Sequence, residues 1–401
     1  MNSISGRDPQ TGRTIEILMR DGIIAAINDI PSEDPAWLSP GLVDLQINGY
    51  QGFDLNADNL TPDTVIELTY SVLATGVTTF LPTIITASEE KIIACLRAIA
   101  AARQLNPALR HMIPGVHVEG PHLSPEDGPR GAHPREHIRP PSIAEFDRWQ
   151  QACGNLVKLV TLSPHFDEAP KYIAALRDRG ILVSIGHTQA SLEQIHAAVD
   201  AGATLSTHLG NGVDDPLPRH PNLLWTQLAE DRLTAMFIGD GHHLPDDTLK
   251  VMLRAKGLDR AILVSDVVAL GGMPPGLYET PVGGLVELSS DGRLSLPGTR
   301  FLAGSGVPLK DVVAHLAATH LSLSESLRLA TQNPAHFLGR IGKLQVGAPG
   351  DLIRFTWEPA AGVQIESVFL QGTPVGRQNK RSDESRQKTP HIGTDKSAYC
   401  Q

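Results

Sequence analysis

The hydrophobic positions of this chain fall into short runs rich in Val, Ile and Leu, each stopped by a polar residue or a glycine. Patterns with the period of a helix lie between the runs, and this alternation is typical of parallel α/β folds. The predicted strands are Leu42–Asn48, Val77–Thr83, Ile113–Glu119, Leu156–Ser163, Ile181–His187, Ala203–His208, Leu233–Gly239 and Ala261–Asp266. The predicted helices include Thr61–Ala74, Ser88–Gln104, Pro170–Arg179, Leu192–Ala201 and Leu244–Lys256. Eight strands favour a closed (β/α)8 TIM barrel, which we place at residues 41–339.

The two flanks of the barrel have a different pattern. Residues 14–29 predict a hairpin with its turn at Asp21-Gly22, and residues 343–375 predict short strands separated by Gly and Pro. Neither flank can bury a core alone, so we expect residues 1–40 and 340–376 to pair into one small β-sandwich domain. Residues 377–401 are polar, and we expect a disordered tail there.

Composition narrows the functional classes. The formal net charge is −10 and no run of Lys and Arg resembles a nucleic-acid-binding surface, which argues against a nucleic-acid partner. No run approaches the roughly 20 apolar residues of a membrane span, and the N-terminus lacks the apolar region of a signal peptide. Three cysteines (Cys95, Cys153 and Cys400) without paired spacing indicate a reducing compartment. We therefore expect a soluble cytoplasmic protein.

Four of the predicted strands end in a carboxylate or an imidazole, namely Glu119, His187, His208 and Asp266. Catalytic groups of (β/α)8 barrels lie at the carboxyl ends of the strands. Any one of these residues alone can be a polar residue that closes a strand. Together, Glu119, His187 and His208 supply the three N and O ligands of a catalytic metal site, and Asp266 can act as a base on water bound there.

The first predicted strand ends in Gln46-Ile47-Asn48, where a two-metal site of this kind would have His-x-His. Amides are poor ligands for transition metals, so we predict one divalent ion. Zn²⁺ is favoured by the ligand set, and Fe²⁺ or Co²⁺ would fit the same atoms.

From about residue 39 to residue 352, the chain resembles the N-acetylglucosamine-6-phosphate deacetylases of the amidohydrolase superfamily. The motifs that carry the resemblance are PGLVDLQINGYQG, ATGVTTFLPTIIT, GVHVEGPHLSPEDGPRGAHP, GHTQAS, THLGN, GDGHH, ILVSDVVALGG, LAGS and ATQNPAHFLG. The resemblance implies a metal-dependent barrel, usually a homodimer, that removes acetate from an N-acetylated amino sugar phosphate. It also implies Glu119, His187 and His208 as ligands of a single zinc and Asp266 as the catalytic base.

The same resemblance implies contacts to the sugar and its phosphate. The residues at the matching motif positions are Ala132, His133, Asn211, Gly212, Arg219, His243, Ala303 and Gly304. A guanidinium suits a phosphate through paired donors, and in relatives the arginine at this position comes from the neighbouring subunit.

Two loops depart from the family pattern, which leaves the substrate open. Relatives commonly have Asn-Ala-Met where this chain has Asn211-Gly212-Val213, and here two aspartates follow, Asp214 and Asp215. Relatives usually have Ser-Thr where this chain has Ser305-Gly306. The alternatives are a deacetylase for another N-acyl amino sugar and a cyclic-amide hydrolase. A non-catalytic sugar-phosphate binder would be expected to lack a ligand or the base, and a glycosidase would need two opposed carboxylates.

Overall fold

The structure, a computed structural model, describes residues 2–214, 216–280, 284–298 and 302–375. Its central sheet has eight parallel strands that neighbour one another in chain order. These strands are Leu42–Ile47, Val77–Ile85, Val116–Glu119, Val157–Leu162, Leu182–Ile185, Leu205–Ser206, Thr234–Ile238 and Ala261–Val264. A parallel bridge between Ile47 and Val267 joins the last strand to the first. The predicted fold class is therefore confirmed.

Helices surround this barrel, and most of them begin at side chains that accept hydrogen bonds from the first turn. Their bounds are Pro62–Leu73, Glu89–Leu105, Pro107–Met112, Ile143–Cys153, Ala169–Asp178, Leu192–Ala201, Leu223–Ala229, Asp246–Lys256, Leu309–Thr319, Leu323–Leu329 and Gln332–Phe337. Ser191 and Ser322 each form a reciprocal capping box with a Gln or Glu three residues later. The third strand starts at Val116, three residues later than predicted, because Ile113 caps the end of the short helix Pro107–Met112. No helix in the described ranges is both long and apolar enough to cross a membrane.

The two flanks of the chain form a single seven-stranded sheet. Its strands are Asn2–Arg7, Thr14–Arg20, Ile23–Asp29, Trp37–Pro40, Leu352–Glu358, Gly362–Leu370 and Thr373–Val375. The two halves meet where Leu352–Glu358 pairs antiparallel with Trp37–Pro40. The exact domain limits remain a prediction, and the tail predicted at 377–401 lies outside the described residues.

One element was not predicted from the sequence. A three-stranded antiparallel sheet (Gly276–Thr280, Gly284–Leu288 and Leu294–Ser295) follows the eighth barrel strand. One of its faces packs Val286, Leu288 and Leu294 against Leu270, which makes a small separate core.

The main core joins the barrel, its helices and the flank sheet. Side chains inside the barrel form one cluster, and the larger cluster fills the layer between barrel and helices. The flank-sheet residues Ile353, Phe355, Val363 and Val368 belong to this larger cluster. The flank sheet therefore shares part of its hydrophobic core with the barrel, whereas other residues of the sheet, such as Ile17 and Leu38, form a separate cluster.

We expect Phe355→Ala to lower the free energy of unfolding by about 3–5 kcal/mol, because its fully buried ring leaves a cavity in the shared core. Urea denaturation measures this change. Gln364→Ala, at an exposed position of the same sheet, is the control and should change stability by less than about 0.5 kcal/mol. Equal effects of the two substitutions would contradict a shared core.

Candidate metal centre

The predicted site residues lie where barrel strands end. Glu119 is the last residue of the third strand, and His187, His208 and Asp266 each follow the last residue of their strand by two positions. The backbone of these three is left-handed, with φ angles of 49°, 27° and 50°. Such values cost a non-glycine residue on the order of 1–3 kcal/mol and concentrate at functional sites. Three sharp turns of the same kind thus surround the barrel mouth.

Three donor atoms form a compact triangle there. Oε1 of Glu119 lies 3.1 Å from Nε2 of His208 and 3.3 Å from Nε2 of His187. The two Nε2 atoms are 3.1 Å apart. All three side chains are buried, so the donors face one another in a site with little access to water.

His133 brings a fourth donor to the same place. Its Nε2 lies 3.2 Å from Nε2 of His187 and 3.9 Å from Oε2 of Glu119. Glu119, His133 and His187 therefore also satisfy the spacing of a three-ligand metal site. His133 was predicted from the sequence as a contact to the substrate. Its position beside the metal-donor atoms was not predicted.

The triangle fits a metal ion of the zinc type. Two bonds of about 2.0–2.1 Å at a tetrahedral angle place ligand atoms about 3.3 Å apart, close to the separations seen here. Nδ1 of His187 lies 2.8 Å from the carbonyl oxygen of Pro129, and this contact orients the ring so that Nε2 faces the other donors. Nδ1 of His208 is buried and has no hydrogen-bond partner among the described residues.

The electrostatics of the site suit a cation. Burial opposes the charge of Glu119, yet hydrogen bonds from His187 and His208 hold its pKa well below the ordinary value. Burial, together with the charge of His187, lowers the pKa of His133 to about 3. The centre therefore combines an ionised carboxylate with at least one imidazole that is neutral at neutral pH.

Asp266 lies beside this centre and is half-buried. Burial, reinforced by the charge of Glu119, raises the pKa of Asp266 to about 6. A carboxylate with a pKa near neutrality can both accept and return a proton.

Two amides of the first strand contact the acidic residues of the site. Nδ2 of Asn48 donates to Oδ1 of Asp266 at 2.7 Å. Nε2 of Gln46 donates to Oε1 of Glu119 at 3.0 Å. From the sequence, these amides were interpreted only as residues that replace metal ligands. Their spacing at i and i+2 on one strand was the available signal that they face the same side.

Other predicted substrate residues lie close to the donors. Nδ1 of His243 donates to Oδ2 of Asp240 at 2.7 Å, and both side chains are at least nine-tenths buried. Burial opposes the charge of Asp240, but the hydrogen bond from His243 and backbone N–H groups lower its pKa to about 2. Gly212 lies so close to the ring of His187 that a methyl group on Gly212 would be 2.7 Å from Nδ1 of that ring. Ala132 is exposed and directly precedes His133.

Three predicted residues are not joined to the donors by any contact in the described chain. Arg219 is exposed and forms no hydrogen bond or ion pair there. Ala303 and Gly304 lie against Leu294 and Val268, beyond the eighth strand.

Asp214, one of the two aspartates that depart from the family pattern, is half-buried, and burial and the charge of Glu126 raise its pKa. Asp215 lies outside the described residues.

A buried carboxylate and imidazoles gathered at the carboxyl ends of an eight-stranded parallel barrel define a metal-dependent hydrolase of the TIM-barrel class. The model of the amidohydrolase family matches residues 37–375. The chain belongs to the amidohydrolase family, whose members depend on metal.

Individual relatives resemble most of the chain. The N-acetylglucosamine-6-phosphate deacetylase of Bacillus subtilis is 34% identical over 325 residues, which are 79% of this chain and 80% of that protein. The N-acetylgalactosamine-6-phosphate deacetylase of Escherichia coli O157:H7 is 29% identical over 89% of this chain and 93% of its own length. A mutant N-acetyl-D-glucosamine-6-phosphate deacetylase of Mycobacterium smegmatis, solved with N-acetyl-D-glucosamine-6-phosphate, has a TM-score of 0.81 and 28% identity. That match covers 91% of this chain and 95% of the solved chain.

We expect Gly212→Ala to weaken metal binding by roughly 10–100-fold, because the added methyl group would displace the His187 ring. Metal content measured after dialysis against a series of chelator concentrations tests this. Gly180→Ala is the matched control, since Gly180 is also left-handed but a methyl group there meets nothing within 4 Å. Wild-type metal retention by the Gly212 variant would show that the ring is not held by this contact.

Proposed function

We propose that this chain hydrolyses the acetamide of N-acetyl-D-glucosamine 6-phosphate to glucosamine 6-phosphate and acetate, as part of amino-sugar breakdown. The observation that carries the proposal is the triangle of Glu119, His187 and His208 with Asp266 beside it, in a chain similar to deacetylases over most of its length. Free, buried cysteines at positions 95 and 153 support a cytoplasmic location.

We assign one divalent ion, Zn²⁺, to Glu119, His187 and His208, and Fe²⁺ or Co²⁺ would suit the same donors. Each of these three donors lies within 3.3 Å of the other two, whereas His133 is 3.9 Å from Oε2 of Glu119. When bound, such an ion supplies Lewis acidity toward the acetyl carbonyl and lowers the pKa of water.

Asp266 is the proposed proton carrier. Asn48 occupies Oδ1, so Oδ2 is the oxygen left to accept the proton of the attacking water. Water adds to the acetyl carbon, and the proton held on Asp266 then passes to the departing nitrogen as the C–N bond breaks. The products are acetate and the free amine. His133 and His243 are the proposed contacts to the sugar, and Asp240 fixes the ring of His243 so that Nε2 faces outward from the pair.

Arg219 is the proposed ligand of the 6-phosphate, in a homodimer where it serves the pocket of the partner. Two observations support this arrangement. Its guanidinium has no partner among the described residues of its own chain. Trp225, six residues further along, is 51% exposed, and tryptophan is enriched at protein interfaces.

A second candidate substrate is N-acetyl-D-galactosamine 6-phosphate. The Escherichia coli relative named for that activity matches 89% of this chain, and the donor set serves either epimer. Asp214 and Glu126, two acidic residues of loops beside the site, would oppose a nearby dianion, which keeps an unphosphorylated N-acyl amino sugar as a third alternative.

We expect acetate release from N-acetylglucosamine 6-phosphate to exceed release from the galactosamine epimer and from free N-acetylglucosamine. Enzymatic acetate detection on these three sugars, with ring opening of a hydantoin assayed in parallel and metal analysis of the same sample, tests the proposal. Faster release from the epimer or from the free sugar would reassign the substrate. No acetate from any sugar would refute deacetylation.

We expect Asp266→Asn to lower kcat by about 10²–10⁴-fold while metal content persists, because an amide cannot take the proton. Asp178→Asn, at an exposed helix end, is the control and should keep the wild-type rate. If the Asp266 variant turns over at a near wild-type rate, another group is the base.

A further inference from the structure

The first barrel strand directs two amides at two different acids. Gln46 and Asn48 are separated by one residue, and both residues are buried, with exposed fractions of 0% and 7%. Gln46 reaches Glu119 on the third strand, whereas Asn48 reaches Asp266 at the end of the eighth. The amides therefore contact the centre from the same strand but through two different carboxylates.

The backbone holds both amides in place. The N–H of Asp266 donates to the carbonyl of Gln46 at 3.0 Å, and the N–H of Asn48 donates to the carbonyl of Val267 at 2.9 Å. On the other side, the N–H of Ile47 donates to Oγ1 of Thr83 at 3.2 Å. The side-chain hydrogen bond between Asn48 and Asp266 thus joins two residues whose backbones are already in register.

The orientation of each amide follows from its partner. Ionised carboxylate oxygens only accept hydrogen bonds, so each amide must present its NH₂ group to them. The carbonyl oxygens Oε1 of Gln46 and Oδ1 of Asn48 are buried and have no hydrogen-bond partner in the described part of the chain. A buried amide that leaves one end unpaired in order to donate at the other is costly, which indicates a role for the donated bond.

We propose that the two amides are positioning residues with separate tasks: Gln46 orients Glu119 for the metal, and Asn48 orients Asp266 for proton transfer. Gln46 donates to the same oxygen that faces His187 and His208, and a neutral donor fixes that oxygen without cancelling its charge. Asn48 occupies one oxygen of Asp266 and leaves the other for the reaction. The task of Asn48 rests on the proposed function, whereas the task of Gln46 rests only on metal binding.

The test compares Gln46→Met and Asn48→Leu, which roughly keep the linear or branched shape of each side chain and remove its donor. Gln46→Met is expected to lose roughly 10–100-fold in metal affinity, measured by competition with a chromogenic chelator without substrate. Its kcat should recover when metal is saturating. Asn48→Leu is expected to keep its metal affinity and KM and to lose roughly 10–100-fold in kcat.

Thr83→Val is the matched control, because it removes a hydrogen bond to the backbone between the two amides without removing either amide donor. It should keep wild-type metal affinity and kcat, and thermal melts of all three variants should show cooperative unfolding. Equal loss of metal affinity and kcat in both amide variants, or the same losses in the Thr83 variant, would show that the strand has only a structural role.

The task of Gln46 can be tested independently of the proposed function, whereas the task of Asn48 is tested only in an enzyme that releases acetate. If wild-type protein releases no acetate from any sugar, the chelator competition still decides the role of Gln46. Wild-type metal affinity in Gln46→Met would overturn that half of the proposal. A wild-type kcat in Asn48→Leu, in an enzyme that does release acetate, would overturn the other half.

Discussion

The hydrogen bonds that join the eighth barrel strand to the first are the constraint on which the rest of this site depends. They close the sheet, and they do so at the residues that carry chemistry, Gln46, Asn48 and Asp266. A shift of this seam by one residue would turn each of these side chains to the opposite face of the sheet. Asp44 strengthens the seam from below, because its buried carboxylate accepts from the hydroxyl and the N–H of Ser265. The hydrogen bonds that close the barrel therefore also bring the residues of the site together.

The site concentrates charge where burial disfavours it. The carboxylates of Glu119 and Asp266 repel each other at the barrel mouth. The imidazoles of His187 and His208 contact Glu119, and the amide of Asn48 contacts Asp266, so each carboxylate has a stabilising partner. A divalent cation held by Glu119 and the imidazoles would offset the negative charge of the two carboxylates. The left-handed turns at His187, His208 and Asp266 are the local cost of bringing the groups this close.

Much of this arrangement could be predicted from the sequence, for identifiable reasons. Buried parallel strands appear as short apolar runs, so the eight strands and the residues that end them were visible in the order of the chain. The amide contacts of Gln46 and Asn48 were not, because a hydrogen bond between distant residues leaves no local pattern. The same holds for His133, which reaches His187 from a loop. The sheet at Gly276–Leu288 was missed because one of its faces is exposed and its core is only a few residues.

The flank sheet has a consequence for how the chain folds as it is synthesised. Strand Trp37–Pro40 pairs with Leu352–Glu358, so its partner leaves the ribosome about 300 residues later. At a synthesis rate of about 5–20 residues per second, the backbone donors and acceptors on this edge of the strand stay unpaired for roughly 15–60 seconds. Phe355 and Val363, which complete the shared core, arrive in the same late segment. The barrel thus reaches its full stability only when the end of the chain returns to its beginning, and until then the unpaired strand edge is open to pairing with other unfinished chains.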